Sequence, residues 1–284
     1  MYRFLEYVIF PPSLFNERKL ERKLEGKTVL ITGASSGIGE QLAYLLADIK
    51  VHIILVARRE EKLAAMKEVI EMKAARVSMF AADLRREEEI EGLLHFLHEL
   101  PEGLDIVVNN AGHSIKRSIH QSLDRYHDFS RTMAINYSAP VQLMLSVIPL
   151  LKQKQGHIVN VSTVNVLLHP FPEWAAYQAS KAAFDTWLLS AAPELNMMGI
   201  ATTSIYLPLV RTPMILPTAS YEKLPAMSPQ HVARIIGKSL YTKKTMYKPW
   251  WLIFGQLASV LFRRYIELSM QRMLRKGRDR NENL

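Results

Sequence analysis

The chain is 284 residues long and 49 % apolar, enough for one large α/β domain or two small ones with a core that needs no staples. It contains no cysteine, which excludes disulfides, thiolate catalysis and cysteine-ligated metal, and it fits a reducing, cytoplasmic compartment. The net charge of +9 is uneven: from Tyr241 onward ten Lys/Arg face three Asp/Glu, and such a basic tail suits nucleic acid, anionic lipid or a phosphorylated ligand, or is simply a solvated helix.

The opening "MYRFLEYVIFPP" is interrupted by Arg3 and Glu6 and carries no small-residue cleavage site, so no signal peptide is expected. Residues 1–26 read as a leader. A strand-then-helix rhythm follows. "KTVLIT" (27–32) is a continuous apolar run, followed by a glycine-broken turn and a helix carrying "QLAYLLADI". "VHIILVA" (51–57) and "RVSMFAAD" (76–83) are the next strands, each followed by a charged helix. "LDIVVNN" (104–110) is a fourth. A long helical region then runs from Ser122 to about Lys152. "GHIVNVS" (156–162), "ATTSIYL" (201–207) and a short "KTMYK" (244–248) complete about seven strands. Near-continuous apolar strands between helices predict a parallel, doubly wound sheet of Rossmann type with helices on both faces. The division expected is a leader, a nucleotide-binding domain over 27–240, and a basic helical extension over 241–284. The longest apolar stretch, 249–262, is too short for a confident bilayer span.

In such sheets ligands bind beyond the carboxyl ends of the strands. The first strand is followed by "TGASSGIG": Gly33, Ser35, Ser36, Gly37, Ile38 and Gly39 would bring backbone N–H groups and a helix N-terminus to a phosphate. The second is followed by Arg58 and Arg59 where a dinucleotide site would hold a carboxylate for a ribose 2′-OH, and a cation there suits a 2′-phosphate, favouring NADPH. Asp83 and Leu84 close the third strand, with Asp83 placed to bond an adenine amino group. Asn110, Ala111 and Gly112 close the fourth near the adenosine. Asn136 lies inside a long helix, where asparagine is a poor helix former and needs a partner or a purpose unless it faces solvent. Tyr177 and Lys181 share a helix face at i and i+4.

The ordered set "TGASSGIG", "NNAG", mid-helix Asn136 and "YQASK" resembles the short-chain dehydrogenase/reductase family over roughly 25–240. The resemblance implies an NADPH-dependent oxidoreductase in which Tyr177 is the acid, Lys181 its partner and Asn136 the anchor of a water relay. Val210 and Thr212 would then hold the nicotinamide side. Lys181, near the positively charged oxidised nicotinamide, would favour tyrosinate and pull the phenol below its ordinary value near 10. Where the family carries a serine thirteen residues before the tyrosine, this chain has Val164. Thr163 is favoured as the carbonyl-polarising hydroxyl if one residue is inserted, with Ser162 as the alternative. Leu209 stands where the family often has glycine. "NNAGHSIKRSIHQSLDRYHDFSRTMAINY" and "TSIYLPLVRTPM" are similar in more detail to bacterial aldehyde-forming fatty acyl-CoA reductases. This implies a lipophilic carbonyl substrate, with Lys116 and Arg117 placed for a CoA phosphate or forming a plain surface pair. Another ketone or alcohol substrate, a non-catalytic NADPH sensor, and a nucleic-acid binder are the competing readings. The last lacks any recognition motif. Residues 247–264 would serve as a peripheral membrane contact, a lid or a subunit contact, and a homo-oligomer is expected.

Overall fold

The computed structural model describes residues 4–12, 14–216, 221 and 224–282. Ahead of the sheet lie α1 (Phe4–Ile9) and α2 (Glu17–Leu24). Asn16 caps α2 by accepting a bond from the Lys19 N–H at 2.9 Å. Leu20 and Leu24 are buried on its inner face, so the leader is part of the packed domain rather than a tail.

The strands are β1 (Thr28–Thr32), β2 (His52–Ala57), β3 (Arg76–Ala81), β4 (Ile106–Asn109), β5 (His157–Thr163), β6 (Ala201–Leu207) and β7 (Met246–Tyr247). They form one seven-stranded sheet, ordered β3-β2-β1-β4-β5-β6-β7, in which every neighbouring pair is parallel. β1, β2, β4 and β5 are buried along their whole length, as expected of strands covered on both faces.

Helices α3 (Gly37–Leu46) and α4 (Glu60–Glu71) follow β1 and β2, and α5 (Glu87–His98) follows β3. α6 (Tyr126–Met133) and α7 (Ala139–Lys154) follow β4; α8 (Ala175–Met197) and α9 (Pro229–Thr242) follow β5 and β6. Leu42, Leu46, Leu63, Ile70 and Ile236 place α3, α4 and α9 on one face. Leu93, Met144, Val147 and Leu188 place α5, α7 and α8 on the other. The chain leaves β1 in opposite directions along the sheet, so a crevice opens between β1 and β4 at their carboxyl ends.

Two boundaries differ from the sequence expectation. The long helical region is α6 and α7 joined by one π-turn, Ala134–Ser138. Although 126–154 is long and apolar enough to cross a bilayer, its apolar face packs in the core. The α/β sheet also runs past residue 240: α9 continues to Thr242 and β7 is its last strand. The extension therefore begins after Tyr247 and holds α10 (Leu252–Leu261) and α11 (Arg263–Glu282).

Candidate active site

A crevice of about 750 Å³ lies beyond the carboxyl ends of the strands. Its floor is the turn between β1 and α3. Gly39 is there because of close approach: a Cβ at that position would sit 2.5 Å from the Gly33 carbonyl oxygen and 2.9 Å from Asn110 Nδ2. Gly33, Ser35, Ser36 and Ile38 line the cavity, whereas Gly37 and Gly39 are buried in the turn beneath it. The N-terminus of α3 thus faces the crevice with its N–H groups and positive dipole end.

The two arginines after β2 are held differently. Arg59 donates to the Ser35 hydroxyl at 2.9 and 3.2 Å and to the Ser35 carbonyl at 3.0 Å, so it braces the glycine turn. Arg58 is exposed and also lines the crevice. Sequence reasoning chose Arg58 and missed the anchoring by Arg59. A turn rich in N–H groups flanked by two guanidiniums fits an anionic dinucleotide carrying a 2′-phosphate.

Asp83 and Leu84 both line the crevice. The Asp83 carboxylate, however, accepts from Arg85 Nε at 2.9 and 3.1 Å, and this pairing holds it below the usual carboxylate range. The Asn110 side chain is also committed, with Nδ2 donating to the Thr32 carbonyl at 2.9 Å. The N–H groups of Asn110 and Ala111 both donate to Thr32 Oγ1, at 3.0 and 2.9 Å. Asn110 therefore clips the end of β4 to the end of β1.

Asn136 sits in the π-turn and is buried. π-turns concentrate where a helix must aim a functional side chain. Oδ1 accepts from the His113 N–H at 2.9 Å, and Nδ2 donates to the His113 carbonyl at 2.8 Å and to Ser180 Oγ at 2.9 Å. The Ser180 hydroxyl in turn donates to the Tyr177 carbonyl at 2.8 Å. Asn136 is thus the tie between the strand-end loop and the first turns of α8. Gly112 keeps this junction open: a Cβ there would lie 3.0 Å from Asn136 Oδ1 and 3.4 Å from Lys181 Nζ.

Tyr177 and Lys181 both face the crevice from α8. Burial pushes the Tyr177 phenol up to about 12, partly offset by a hydrogen bond with the Thr163 hydroxyl. Burial pulls Lys181 down to about 8, opposed by the charge of Asp185. Lys181 Nζ donates to the Val161 carbonyl at 3.1 Å. Desolvation is the largest influence on the Tyr177 phenol and sets the direction of its shift.

The paired hydroxyls diverge, as successive strand residues must. Thr163 faces Tyr177 and accepts from the Asn165 N–H at 3.3 Å. Ser162 is buried beside Asp185. Asp185 was not singled out from sequence. It is buried one turn beyond Lys181, and the Tyr206 hydroxyl donates to its Oδ2 at 3.1 Å. Burial pushes this carboxyl up, while Tyr206, Ser162 and the Lys181 ammonium all favour its ionised form. Removing the charge leaves Lys181 easier to deprotonate. Asp185→Asn should therefore move the alkaline fall of the pH–activity profile to lower pH, and an unchanged profile would make Asp185 a packing residue only.

Val210 and Thr212 border the crevice opposite α8, with the Leu209 carbonyl fixed by the Met227 N–H at 2.8 Å. The outer wall is apolar and aromatic. Trp174 stacks on Tyr221 with centroids 6.0 Å apart and meets Tyr177 edge-on at 5.8 Å; Met214 and Leu224 lie nearby. At the rim Lys116 pairs with Glu173 at 3.1 Å and Arg117 with Asp128 at 3.1 Å, so neither is a plain surface cation. The buried Asp128 also takes Arg125 at 3.0 Å and Arg131 at 2.7 Å, leaving three guanidiniums around one carboxylate.

A family model for the short chain dehydrogenase matches residues 27–223. A fatty acyl-CoA reductase of Acinetobacter baylyi is 42 % identical over 221 residues, covering 78 % of this chain and 75 % of that protein. A fatty acyl-CoA reductase of Mycobacterium tuberculosis is 34 % identical over 278 residues, covering 97 % and 92 %. Among solved structures, a short-chain dehydrogenase from Sphingobium yanoikuyae in complex with NADPH superposes with a TM-score of 0.73 at 25 % identity, covering 88 % of this chain and 95 % of that one. With strands β1 to β6 of the parallel sheet, the glycine turn at its switch point and the Tyr177–Lys181 pair all inside the matched region, the chain belongs to the short-chain dehydrogenase family of oxidoreductases.

Proposed function

We propose that this protein is an NADPH-dependent reductase of lipophilic carbonyl compounds, acting on long-chain fatty acyl-CoA and the related fatty aldehydes. One arrangement carries the reading. Tyr177, hydrogen-bonded with Thr163, sits at the base of a crevice whose outer wall is Trp174, Tyr221, Met214 and Leu224 and whose rim carries Arg117 and Arg131. Apolar walls suit an acyl chain. The excess of guanidinium over carboxylate suits the phosphates of CoA. The resemblance to two proteins named fatty acyl-CoA reductases supports the same substrate class.

The glycine turn, Arg58 and Arg59 would hold NADPH, which would supply a hydride when bound. The protein supplies placement and proton handling. Asn110, Arg59 and the glycine turn fix the floor of the site. Thr163 donates a hydrogen bond to the substrate carbonyl oxygen and orients it against Tyr177. Negative charge gathers on that oxygen as the carbonyl carbon is reduced, and the Tyr177 phenol gives up its proton there. With a thioester this gives a hemithioacetal; its hydroxyl proton returns to the Tyr177 phenolate as the C–S bond breaks, leaving the aldehyde, and the departing CoA thiolate takes a proton from water. Lys181, as an ammonium, stabilises the tyrosinate left behind. Asn136 holds the loop and α8 in register throughout. An intact proton-handling set argues against a purely sensing role.

The 2′-phosphate assignment is tested by Arg58→Ala. Loss of one charge-assisted contact, worth about 1.5–3 kcal/mol, should raise the Kd for NADPH about tenfold to a hundredfold and leave NADH nearly unchanged. Arg59→Ala should weaken both, because Arg59 also braces Ser35. Fluorescence titration of each coenzyme reads the difference. Equal losses at Arg58 would remove the NADPH preference from this residue.

A further inference from the structure

Helix α10 carries its apolar face outward. Trp250, Ile253, Phe254, Leu257 and Leu261 follow helical spacing, and each is half exposed or more. The inward side meets the loop that follows β5. Leu252 packs with Val164 and Tyr206, Gly255 lies against Leu168, and the His169 N–H donates to Ser259 Oγ at 3.1 Å.

The N-terminal helix extends the same patch. Leu5, Tyr7 and Val8 of α1 are exposed, and Trp250 Nε1 donates to the Val8 carbonyl at 3.2 Å. On the other side of α1 the buried Glu6 pairs with Arg211 and accepts the Ala226 N–H at 3.2 Å. Arg211 is the neighbour of Thr212. The two terminal segments are therefore fastened to loops on both sides of the crevice mouth.

The charge around the stripe is mostly positive, with Arg263 paired to Glu267 at 3.0 Å. Between 248 and 275, Lys248, Arg263, Arg264, Arg272 and Arg275 face a single acid, Glu267. Aliphatic and aromatic side chains bordered by guanidiniums match the depth profile of a lipid headgroup layer. At about 1.5 Å per residue, α10 is far shorter than the roughly 30 Å of a bilayer core, so it would lie in the interface and not span it. A second copy of this chain would bring the same cationic ends together, whereas an anionic leaflet neutralises them.

We propose that the outward face of α10, with the start of α11 and the exposed side of α1, docks this protein on an anionic membrane leaflet and sets the crevice mouth against it. The docking needs no turnover, so it stands or falls separately from the proposed reaction. The test is co-flotation of the full chain with vesicles of phosphatidylcholine alone or with about a third phosphatidylglycerol; about tenfold more protein should float with the anionic vesicles, and high salt should release it. Phe254→Glu with Leu257→Glu should cut flotation about tenfold, since both side chains are exposed and the fold, read by unfolding temperature and NADPH binding, should be unchanged. Arg263→Glu with Arg264→Glu should abolish the preference for anionic lipid. Failure of the wild type to float with either vesicle would overturn the proposal, as would equal flotation of the glutamate variants. So would a solution oligomer that these variants dissociate in a chain that ignores vesicles. Flotation without acyl-CoA-dependent NADPH oxidation would support the docking and remove the reaction.

Discussion

Tyr177→Phe should lower kcat by about 10²–10⁴-fold, the loss expected when a positioned proton donor is removed, while NADPH still binds with nearly its original Kd. The change deletes one oxygen and keeps the ring. The edge-on contact with Trp174, at 5.8 Å, survives, so unfolding temperature should barely move. The pH dependence follows from the direction of the shift. Burial holds the phenol up at about 12, so Tyr177 is protonated at neutral pH, as the proposed acid role requires. Lys181 lies at about 8, and its ammonium is lost as pH rises through that value. Reduction should therefore be steady below about pH 8 and fall above it, with Lys181 setting the limb. Loss of NADPH binding along with turnover in Tyr177→Phe would make Tyr177 a structural residue.

Gly39→Ala should weaken NADPH binding about a hundredfold, or ~2.7 kcal/mol, and destabilise the fold by about 1–3 kcal/mol, the usual cost of forcing an extra methyl into a packed site. The added Cβ would stand 2.5 Å from the Gly33 carbonyl oxygen, 2.9 Å from Asn110 Nδ2 and 3.0 Å from Ala34 Cα. None of the three retreats cheaply. Two are backbone, and the Asn110 amide is pinned to the Thr32 carbonyl at 2.9 Å. The turn must open, carrying the N-terminus of α3 away from the crevice. Gly92 in α5 is the control: a Cβ there meets only Phe80, at 3.5 Å, so Gly92→Ala should be neutral or stabilising by about 0.5–1 kcal/mol. Thermal unfolding and coenzyme titration on both variants separate a turn-specific effect from a general helix effect. Equal behaviour of the two would contradict the account of the turn.

The sheet was legible because each strand is a short apolar run ended by glycine, asparagine or charge. That pattern also pointed to the strand ends, where Gly33, Arg58, Asp83, Asn110 and Thr163 are found. What sequence could not show is pairing across distance. Lys116 and Arg117 look like a surface pair until Glu173 and Asp128 fold beside them. Asp185 reads as one acid on a mixed helix; only the packing of α8 on β5 and β6 buries it next to Tyr206 and Ser162. The choice between Ser162 and Thr163 turns on which face of β5 each occupies, and the irregular segment between β5 and α8 hides that register. Asn136 was conspicuous as a mid-helix asparagine. The π-turn around it arises from tertiary packing and leaves no mark in the helical periodicity.

The central claim is tested most directly by the loss of NADPH absorbance when long-chain fatty acyl-CoA is added to the purified full chain, with release of CoA thiol followed in parallel. Wild-type protein should oxidise NADPH and release thiol in step, faster than with NADH, and Tyr177→Phe should do neither while still binding NADPH. No oxidation of NADPH with long-chain acyl-CoA or fatty aldehyde, or undiminished turnover by Tyr177→Phe, would contradict it.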